Sequence, residues 1–399
     1  LLYNWMLNFQ PITEEYRNRY NDSKVYETGD IYVFSSPQWA HEDHPLGLTY
    51  FDPEHNCAAL LGMRYFGEHK KGTLTLSWAL ANRYGFVSCH GGLKEISKEG
   101  MEPFTLAVFG LSGSGKSTIT HAKHDGKYNI KILHDDAFII NIKDKYSIAL
   151  EPTYFDKTQD YPASSPDNKY LLSVQNCGAT RDEEGKLIIV PEDVRNGNGR
   201  AIKSRLWSPN RVDRVDSKIS AICWIMKDPV LPPLMKINNS AIGSLMGATL
   251  ATKRTTAERL AEGVDPNALV IEPYANPFRT WQLSQDYLKF KSLFDEGVDC
   301  YILNTGFFFE NKVPKEITLG AVENIAENKG TWVNLEKIPG VQYMVFDGYD
   351  QFKIEENAEY LEAFKGSLNR RKAFLTGLND FHALPEEALE AYEEWIKQI

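Results

Sequence analysis

The sequence predicts an α/β fold: a mixed-sheet, P-loop nucleotide-binding domain preceded by a smaller part. Two observations carry this. Short apolar runs bounded by Gly, Pro, Asp or His recur at residues 31–36, 58–63, 104–109, 129–133, 220–226 and 299–303, between stretches of helical spacing. The run at 104–109 passes directly into Gly110-Leu-Ser-Gly-Ser-Gly-Lys-Ser117, the complete phosphate-loop pattern in the strand-then-helix context it requires.

In chain order, residues 1–30 mix aromatic and polar residues, with a short helix expected over 13–20. Strands at 31–36 and 58–63 lead to the Gly-rich and Lys-rich stretch 62–72. A helical pattern follows over 73–81, and then a strand at 85–90 that ends on His90. Gly, Lys and Glu collect over 93–103, and a domain boundary is expected there, dividing the chain into 1–99 and 100–399. After the phosphate loop come a helix from about Ser117 and a strand at 129–133 that runs into His134-Asp135-Asp136. Residues 156–185, rich in Asp, Ser, Pro and Gly, read as an excursion with strands near 170–174 and 186–190. From residue 355 the pattern is helical and charged, and 385–399 is an amphipathic helix that packs on the body.

Bulk properties narrow the partners. With 44 Lys and Arg against 54 Asp and Glu, the net charge is −10, and no long basic run is present. Nucleic acid is therefore not an expected partner, and phosphate chemistry must use a local positive pocket. No apolar stretch approaches the roughly 20 residues that span a bilayer. No membrane partner is expected. Five widely spaced cysteines, Cys57, Cys89, Cys177, Cys223 and Cys300, form no CxxC pair and read as reduced thiols of a cytoplasmic protein without a zinc site. Because the sequence starts at Leu1 rather than Met, an N-terminal portion is expected to be missing.

The chemistry of the loop follows from its residues. Gly110, Gly113 and Gly115 let the chain turn tightly, so that backbone N–H groups of Leu111, Ser112, Ser114 and their neighbours can face phosphate oxygens at the start of a helix. Lys116 would reach the β- and γ-phosphates, and the Ser117 hydroxyl, followed by Thr118, would ligate the accompanying Mg²⁺. Asp136, 20 residues past Lys116, stands at a strand end with Asp135, a spacing that suits a metal held against the phosphates. Taken alone, Lys70-Lys71 reads as a solvated surface pair and His90 as an ordinary structural histidine.

Together these motifs resemble the ATP-dependent phosphoenolpyruvate carboxykinase family. Tyr65-Phe-Gly67-Glu-His-Lys-Lys71-Gly72 is similar to that family's Tyr-x-Gly-Glu-x-Lys-Lys-Gly run, and the 18-residue step from Gly72 to His90 matches the step to its metal histidine. The loop is similar to Gly-Leu-Ser-Gly-Thr-Gly-Lys-Thr-Thr, and Asp135-Asp136 falls where the family carries an aspartate pair. Gly199-Arg200 sits like its substrate arginine; Glu272-Pro273, Leu303-Asn304-Thr305-Gly306 and Ile338-Pro339-Gly340-Val341 also have counterparts. The resemblance implies that Mn²⁺ is held by Lys71, His90 and Asp136, and that Mg²⁺ on ATP is held by Ser117 with Asp135. Lys71 would serve as a neutral amine, since an adjacent dication disfavours its charged form. Tyr65, Gly67, Arg200 and Ser112 would hold oxaloacetate or another carboxylic acid, Arg200 through a bidentate grip, and Tyr274 would lie at the nucleotide. The implied reaction is decarboxylation of oxaloacetate followed by attack of the enolate on the γ-phosphorus, giving phosphoenolpyruvate, CO₂ and ADP.

The sequence departs from the family at several places. Ala137-Phe138-Ile139-Ile140 replaces Glu-His-Gly-Trp after the aspartates, and Gly91-Gly92-Leu93 replaces Cys-Ser-Ala after the histidine. The adenine-pocket arginine aligns with Ala268 and the threonine after Glu272-Pro273 with Tyr274; Arg254, Arg259 and Arg279 are the possible substitutes. No Arg-Ser-Pro-Lys-Asp-Lys motif occurs. Two alternatives therefore stay open: a P-loop kinase acting on another small acid, a hydroxyl compound or a protein serine, as in the distantly related HPr kinase, and an ATP-binding regulator without turnover.

Overall fold

A computed structural model describes residues 1–10, 13–111, 113–158, 161–162, 164–190, 199–253, 269–349 and 357–399. The chain forms two compact units that interleave in sequence: residues 1–80 with 149–213, and residues 81–148 with 214–399.

In the first unit, Tyr32–Ser36 pairs parallel with Cys57–Leu61, which pairs antiparallel with Leu48–Asp52. A second sheet places Arg200–Lys203 between Tyr154–Lys157 and Leu171–Gln175, all antiparallel, and Gly178–Arg181 forms a hairpin with Leu187–Val190. The excursion read from the sequence thus returns to the N-terminal residues. Helix Phe66–Arg83 starts earlier than its apolar spacing predicts, because Gly67 and Gly72 of the 62–72 motif lie within it and serve close packing. A Cβ on Gly72 would come 3.1 Å from Leu60 Cδ1, and one on Gly67 within 2.3 Å of the Tyr65 ring. Lys70 is not the surface residue its type suggests. Only 1% exposed, it pairs with buried Glu151 at 3.0 Å, and Asn8 Nδ2 donates to the same carboxylate at 2.6 Å.

The second unit is built on a mixed sheet of eight strands among the described residues. Across the sheet they run Trp332–Asn334, Val341–Met344, Leu234–Ile237, Asp299–Asn304, Ala221–Met226, Phe104–Phe109, Gly92–Ser97 and Asn129–His134. Asp299–Asn304, Ala221–Met226 and Phe104–Phe109 are mutually parallel, and the remaining pairings are antiparallel. The parallel strands read as unbroken apolar runs because both faces are covered; all six residues of Ala221–Met226 are buried. The boundary expected near residue 99 falls inside the hairpin between Gly92–Ser97 and Phe104–Phe109, whose Gly-rich and charged turn has the composition of a linker. A smaller sheet pairs Phe86–His90 antiparallel with Ala137–Asn141, so that His90 stands opposite Ala137. Helices Ala358–Thr376 and Glu386–Gln398 close the chain. Among the described residues no helix is long and apolar enough to cross a membrane.

Candidate functional site

The three parallel strands end side by side at residues 109, 226 and 304, where Gly110, Lys227 and Thr305 follow them. Loops at the carboxyl ends of parallel strands are where α/β sheets bind ligands. Gly110 is packed so closely that a Cβ would sit 2.3 Å from Ser114 Oγ and 3.0 Å from Ile225 Cβ. Gly113 and Gly115 take the positive φ values of +75° and +100° that glycine adopts without strain. Helix Lys116–His121 then begins with no side-chain cap on its first N–H groups. These are the groups that favour an anion. Lys116 is half-buried, and Ser117 and Thr118 are exposed on the first turn. Ser112 lies outside the described residues.

Two residues that the motif does not contain hold the loop from the adjoining strand ends. Lys227 Nζ donates to the Gly113 carbonyl at 2.8 Å, and Thr305 Oγ1 donates to the Ser114 carbonyl at 2.7 Å. Burial lowers the pKa of Lys227. The Leu303-Asn304-Thr305-Gly306 match was the sequence signal for one of them; Lys227 had none.

The paired aspartates occupy the turn between Asn129–His134 and Ala137–Asn141. His134, buried, accepts the Asp136 and Ala137 N–H groups at Nδ1 (3.0 and 3.2 Å) and so shapes the turn from within. Asp136 Oδ1 lies 2.9 Å from His90 Nε2, and the Asp136 carbonyl accepts the Gly91 N–H at 3.0 Å. His90 Nδ1 meets the Ala275 carbonyl at 2.5 Å. Since a carbonyl can only accept, Nδ1 carries a proton, and Nε2 faces the carboxylate. Asp135 Oδ2 lies 3.2 Å from Nε2 of His121, the last residue of the helix that follows the loop. Burial raises the Asp135 carboxyl, but the hydrogen bond and charge of His121 outweigh it and hold the group well below the usual carboxylate range. Asp135 is therefore an anion tied to the phosphate-loop helix.

The His90–Asp136 donor set fits a divalent cation. An imidazole nitrogen whose other nitrogen is fixed by a backbone carbonyl, beside a carboxylate, is a pattern metal sites use to orient their ligands. Among the described residues, no three His, Cys, Asp or Glu side chains gather to hold a metal by themselves.

In the first unit, Lys71 is half-buried with Nζ 5.7 Å from the centre of the Trp78 ring, on the same helix as Gly67. The Arg200 guanidinium lies 5.8 Å from the Tyr65 ring centre, and Nη1 donates to the Gly199 carbonyl at 3.0 Å. Burial raises the Tyr65 phenol above its ordinary value, and Arg200 partly offsets this. Tyr65, with Gly67 against its ring, is thus a neighbour of Arg200, which is far from both in sequence.

Tyr274 is 2% exposed, stacks on Phe290 at 4.6 Å, and hydrogen-bonds Ser244 through its hydroxyl. These contacts account for its side chain by core packing. Its neighbour Ala275 supplies the carbonyl that orients His90. Arg279 is turned to the Asn276 carbonyl (3.2 Å) and towards Asp286 (3.5 Å), and burial pushes the Asp286 carboxyl up to about 6. Arg254, Arg259 and Ala268 lie outside the described residues.

The fold and these motifs define a carboxykinase-type chain: the family model of phosphoenolpyruvate carboxykinase matches residues 2–347, and the chain belongs to that family. Among individual proteins it is similar to the phosphoenolpyruvate carboxykinase (ATP) of Aeropyrum pernix. The two are 24% identical over 326 residues, covering 74% of this chain and 62% of the relative. The chain thus spans less than two thirds of the length of that relative.

Proposed function

We propose that this protein is an ATP-dependent carboxykinase that converts oxaloacetate and ATP to phosphoenolpyruvate, CO₂ and ADP. The observation that carries the reading is His90, fixed by the Ala275 carbonyl and facing Asp136, within the same compact unit as a complete phosphate loop. The loop amides and Lys116 would bind the triphosphate and offset its charge. Ser117 and Asp135 would hold Mg²⁺ on the nucleotide, with His121 keeping Asp135 ionised. His90 and Asp136 would hold a second cation, Mn²⁺ by resemblance, and Lys71 is assigned to it by resemblance alone. A divalent ion there supplies Lewis-acid stabilisation of charge on a substrate oxygen.

Arg200 beside Tyr65 would grip the substrate carboxylate. In the reaction the C–C bond to the departing CO₂ breaks, and its electron pair remains as the enolate. The enolate oxygen attacks the γ-phosphorus and ADP leaves.

A second reading, phosphoryl transfer to another acceptor, is favoured by one observation. Ala137, Phe138, Ile139 and Ile140 are all buried, so the stretch that carries polar residues in the family contributes only apolar packing here. Incubation with ATP, Mg²⁺ and Mn²⁺, with and without oxaloacetate, separates the readings. Oxaloacetate-dependent phosphoenolpyruvate and ADP support the first. ADP formed only with a different acceptor supports the second, and tight ATP binding without ADP under every condition refutes both.

A further inference from the structure

The backbone N–H groups of a phosphate loop bind an anion best when their peptide planes are held, and the motif itself supplies one such bond, from the Ser114 N–H to the Leu111 carbonyl at 3.0 Å. A trans peptide is planar, with its C=O and the following N–H pointing in opposite directions. Fixing a carbonyl therefore aims the N–H of the next residue. In this chain two successive loop carbonyls are fixed by side chains from outside the motif. Lys227 Nζ takes the Gly113 oxygen at 2.8 Å, and Thr305 Oγ1 takes the Ser114 oxygen at 2.7 Å. The peptide held by Thr305 is the one whose N–H belongs to Gly115, the residue that caps the helix, whereas the peptide held by Lys227 carries the Ser114 N–H, which closes the loop's turn on the Leu111 carbonyl at 3.0 Å, so Lys227 fixes the turn and Thr305 aims an N–H.

The holders are themselves fixed. Trp224 is in register with Phe109 and Met226 with Asn304, so Lys227 and Thr305 leave neighbouring parallel strands at the same level, Lys227 from the strand beside the one that feeds the loop and Thr305 from the next. A Cβ on Gly306 would come 3.1 Å from Lys227 Cβ, which brings the two strand ends into contact. Asn304 Nδ2 donates to the carbonyls of Asp228, Leu231 and Phe307 at 3.2, 2.6 and 2.8 Å. The ammonium of Lys227 has no carboxylate partner among the described residues, so its charge acts on the loop.

We infer that Lys227 and Thr305 form a carbonyl clamp that positions the phosphate loop for the polyphosphate of its nucleotide. They are positioning residues, acting through the Gly113 and Ser114 peptides. The inference rests on the reading of the loop as an ATP site. It predicts a signature that general stabilisation would not give: the clamp matters in proportion to the phosphates held.

The test measures binding of ATP, ADP and AMP, each with Mg²⁺, to the full chain and to Thr305→Val, Thr305→Ser, Lys227→Met, Lys227→Arg and Lys116→Ala. Thr305→Val should weaken ATP about threefold to tenfold, the loss of one neutral hydrogen bond, and Thr305→Ser should restore it. Lys227→Met should weaken ATP about tenfold to a hundredfold, the loss of a charged donor, with Lys227→Arg intermediate and AMP nearly unchanged in all four. A variant carrying both Thr305→Val and Lys227→Met should lose less than the product of the single losses, since both act on one loop. Unchanged ATP affinity in Thr305→Val and Lys227→Met, or equal losses for ATP and AMP, with Lys116→Ala still abolishing binding, would overturn the clamp alone. No ATP binding by the unaltered protein, or none lost in Lys116→Ala, would overturn the nucleotide reading and the clamp with it. Hydrogen exchange of the native protein keeps the clamp refutable even where a variant does not fold. The Gly115 amide must be slowed by ATP and not by AMP, and equal rates refute the clamp.

Discussion

Replacing Lys94 with Met should remove a specific pH dependence from the stability of this protein. Lys94 is 1% exposed in strand Gly92–Ser97, where Nζ meets the Ile119 carbonyl at 2.7 Å and His124 Nε2 at 2.8 Å. His124 in turn uses Nδ1 on Glu323 at 3.0 Å, with Lys127 on the other carboxylate oxygen. A neutral amine has two N–H donors, which match these two acceptors; a third proton would have none. Burial lowers the Lys94 pKa from 10.5 to about 7, partly opposed by Glu323. Between those values the unfolded chain holds a proton that the folded chain lacks, so stability rises with pH across the window and levels off below about pH 7. At about 1.4 kcal/mol per pH unit, the full window is worth up to about 5 kcal/mol. Between about pH 7 and about pH 8.5 the gain is on the order of 1–2 kcal/mol. Denaturant unfolding of both proteins at the two pH values measures it. The wild-type free energy should rise by that amount relative to Lys94→Met. A difference between the two proteins that stays constant with pH would refute the assignment of a neutral Lys94.

The remaining predictions concern the two units separately. Gly110→Ala must push a methyl against Ser114 Oγ and Ile225, so it should cost about 1–3 kcal/mol of stability and weaken ATP binding at least about tenfold; denaturant titration and nucleotide binding on one sample read both. His90→Ala should lower Mn²⁺ affinity by about tenfold or more, read by direct metal titration. Arg200→Lys should raise KM for the carboxylate substrate far more than Kd for ATP, because an ammonium lacks the planar fork; equal kinetics would remove Arg200 from the site. Lys70→Met leaves Glu151 buried without its cation and should cost about 3–5 kcal/mol, against which an unchanged unfolding midpoint would count.

Several strands were legible because their pattern is simple. Phe104–Phe109, Ala221–Met226 and Asp299–Asn304 are continuous apolar runs in the parallel centre of the sheet. Gly92–Ser97 was not legible. Its Lys94 and Glu95 look like linker residues, yet both are buried, Lys94 on Ile119 and His124, and Glu95 on Lys131 at 2.7 Å and Ser217 at 2.6 Å. Polarity signals exposure only when no partner is available, and partners 25 to 122 residues away cannot be read from a local window. The same applies to Phe66–Arg83, whose glycines suggest a loop but instead admit Leu60 and Tyr65. The His90–Asp136 pairing was implied only by the resemblance to the family, since the two residues taken alone carry no signal that joins them. The Ala275 carbonyl that sets the histidine tautomer carries no side-chain signal at all.

That asymmetry reaches the phosphate loop. A motif records groups that face a ligand, because their chemistry restricts the residue types at fixed offsets. The groups behind the loop need only reach a carbonyl, and any donor at a neighbouring strand end can do so. Lys227 reaches it from a turn whose next residue, Asp228, is 1% exposed and bound by Ser367 Oγ at 2.6 Å and Arg371 Nη2 at 3.0 Å. Arg371 also donates to the Thr249 carbonyl. Both partners of Asp228 lie on helix Ala358–Thr376, beyond the residues 2–347 matched by the family model. A buried carboxylate paired with a buried guanidinium contributes little net stability, but removal of either partner leaves a charge without compensation. Helix Ala358–Thr376 is thereby tied to the turn that carries Lys227, and removing Arg371 would leave Asp228 as a buried charge one residue from it.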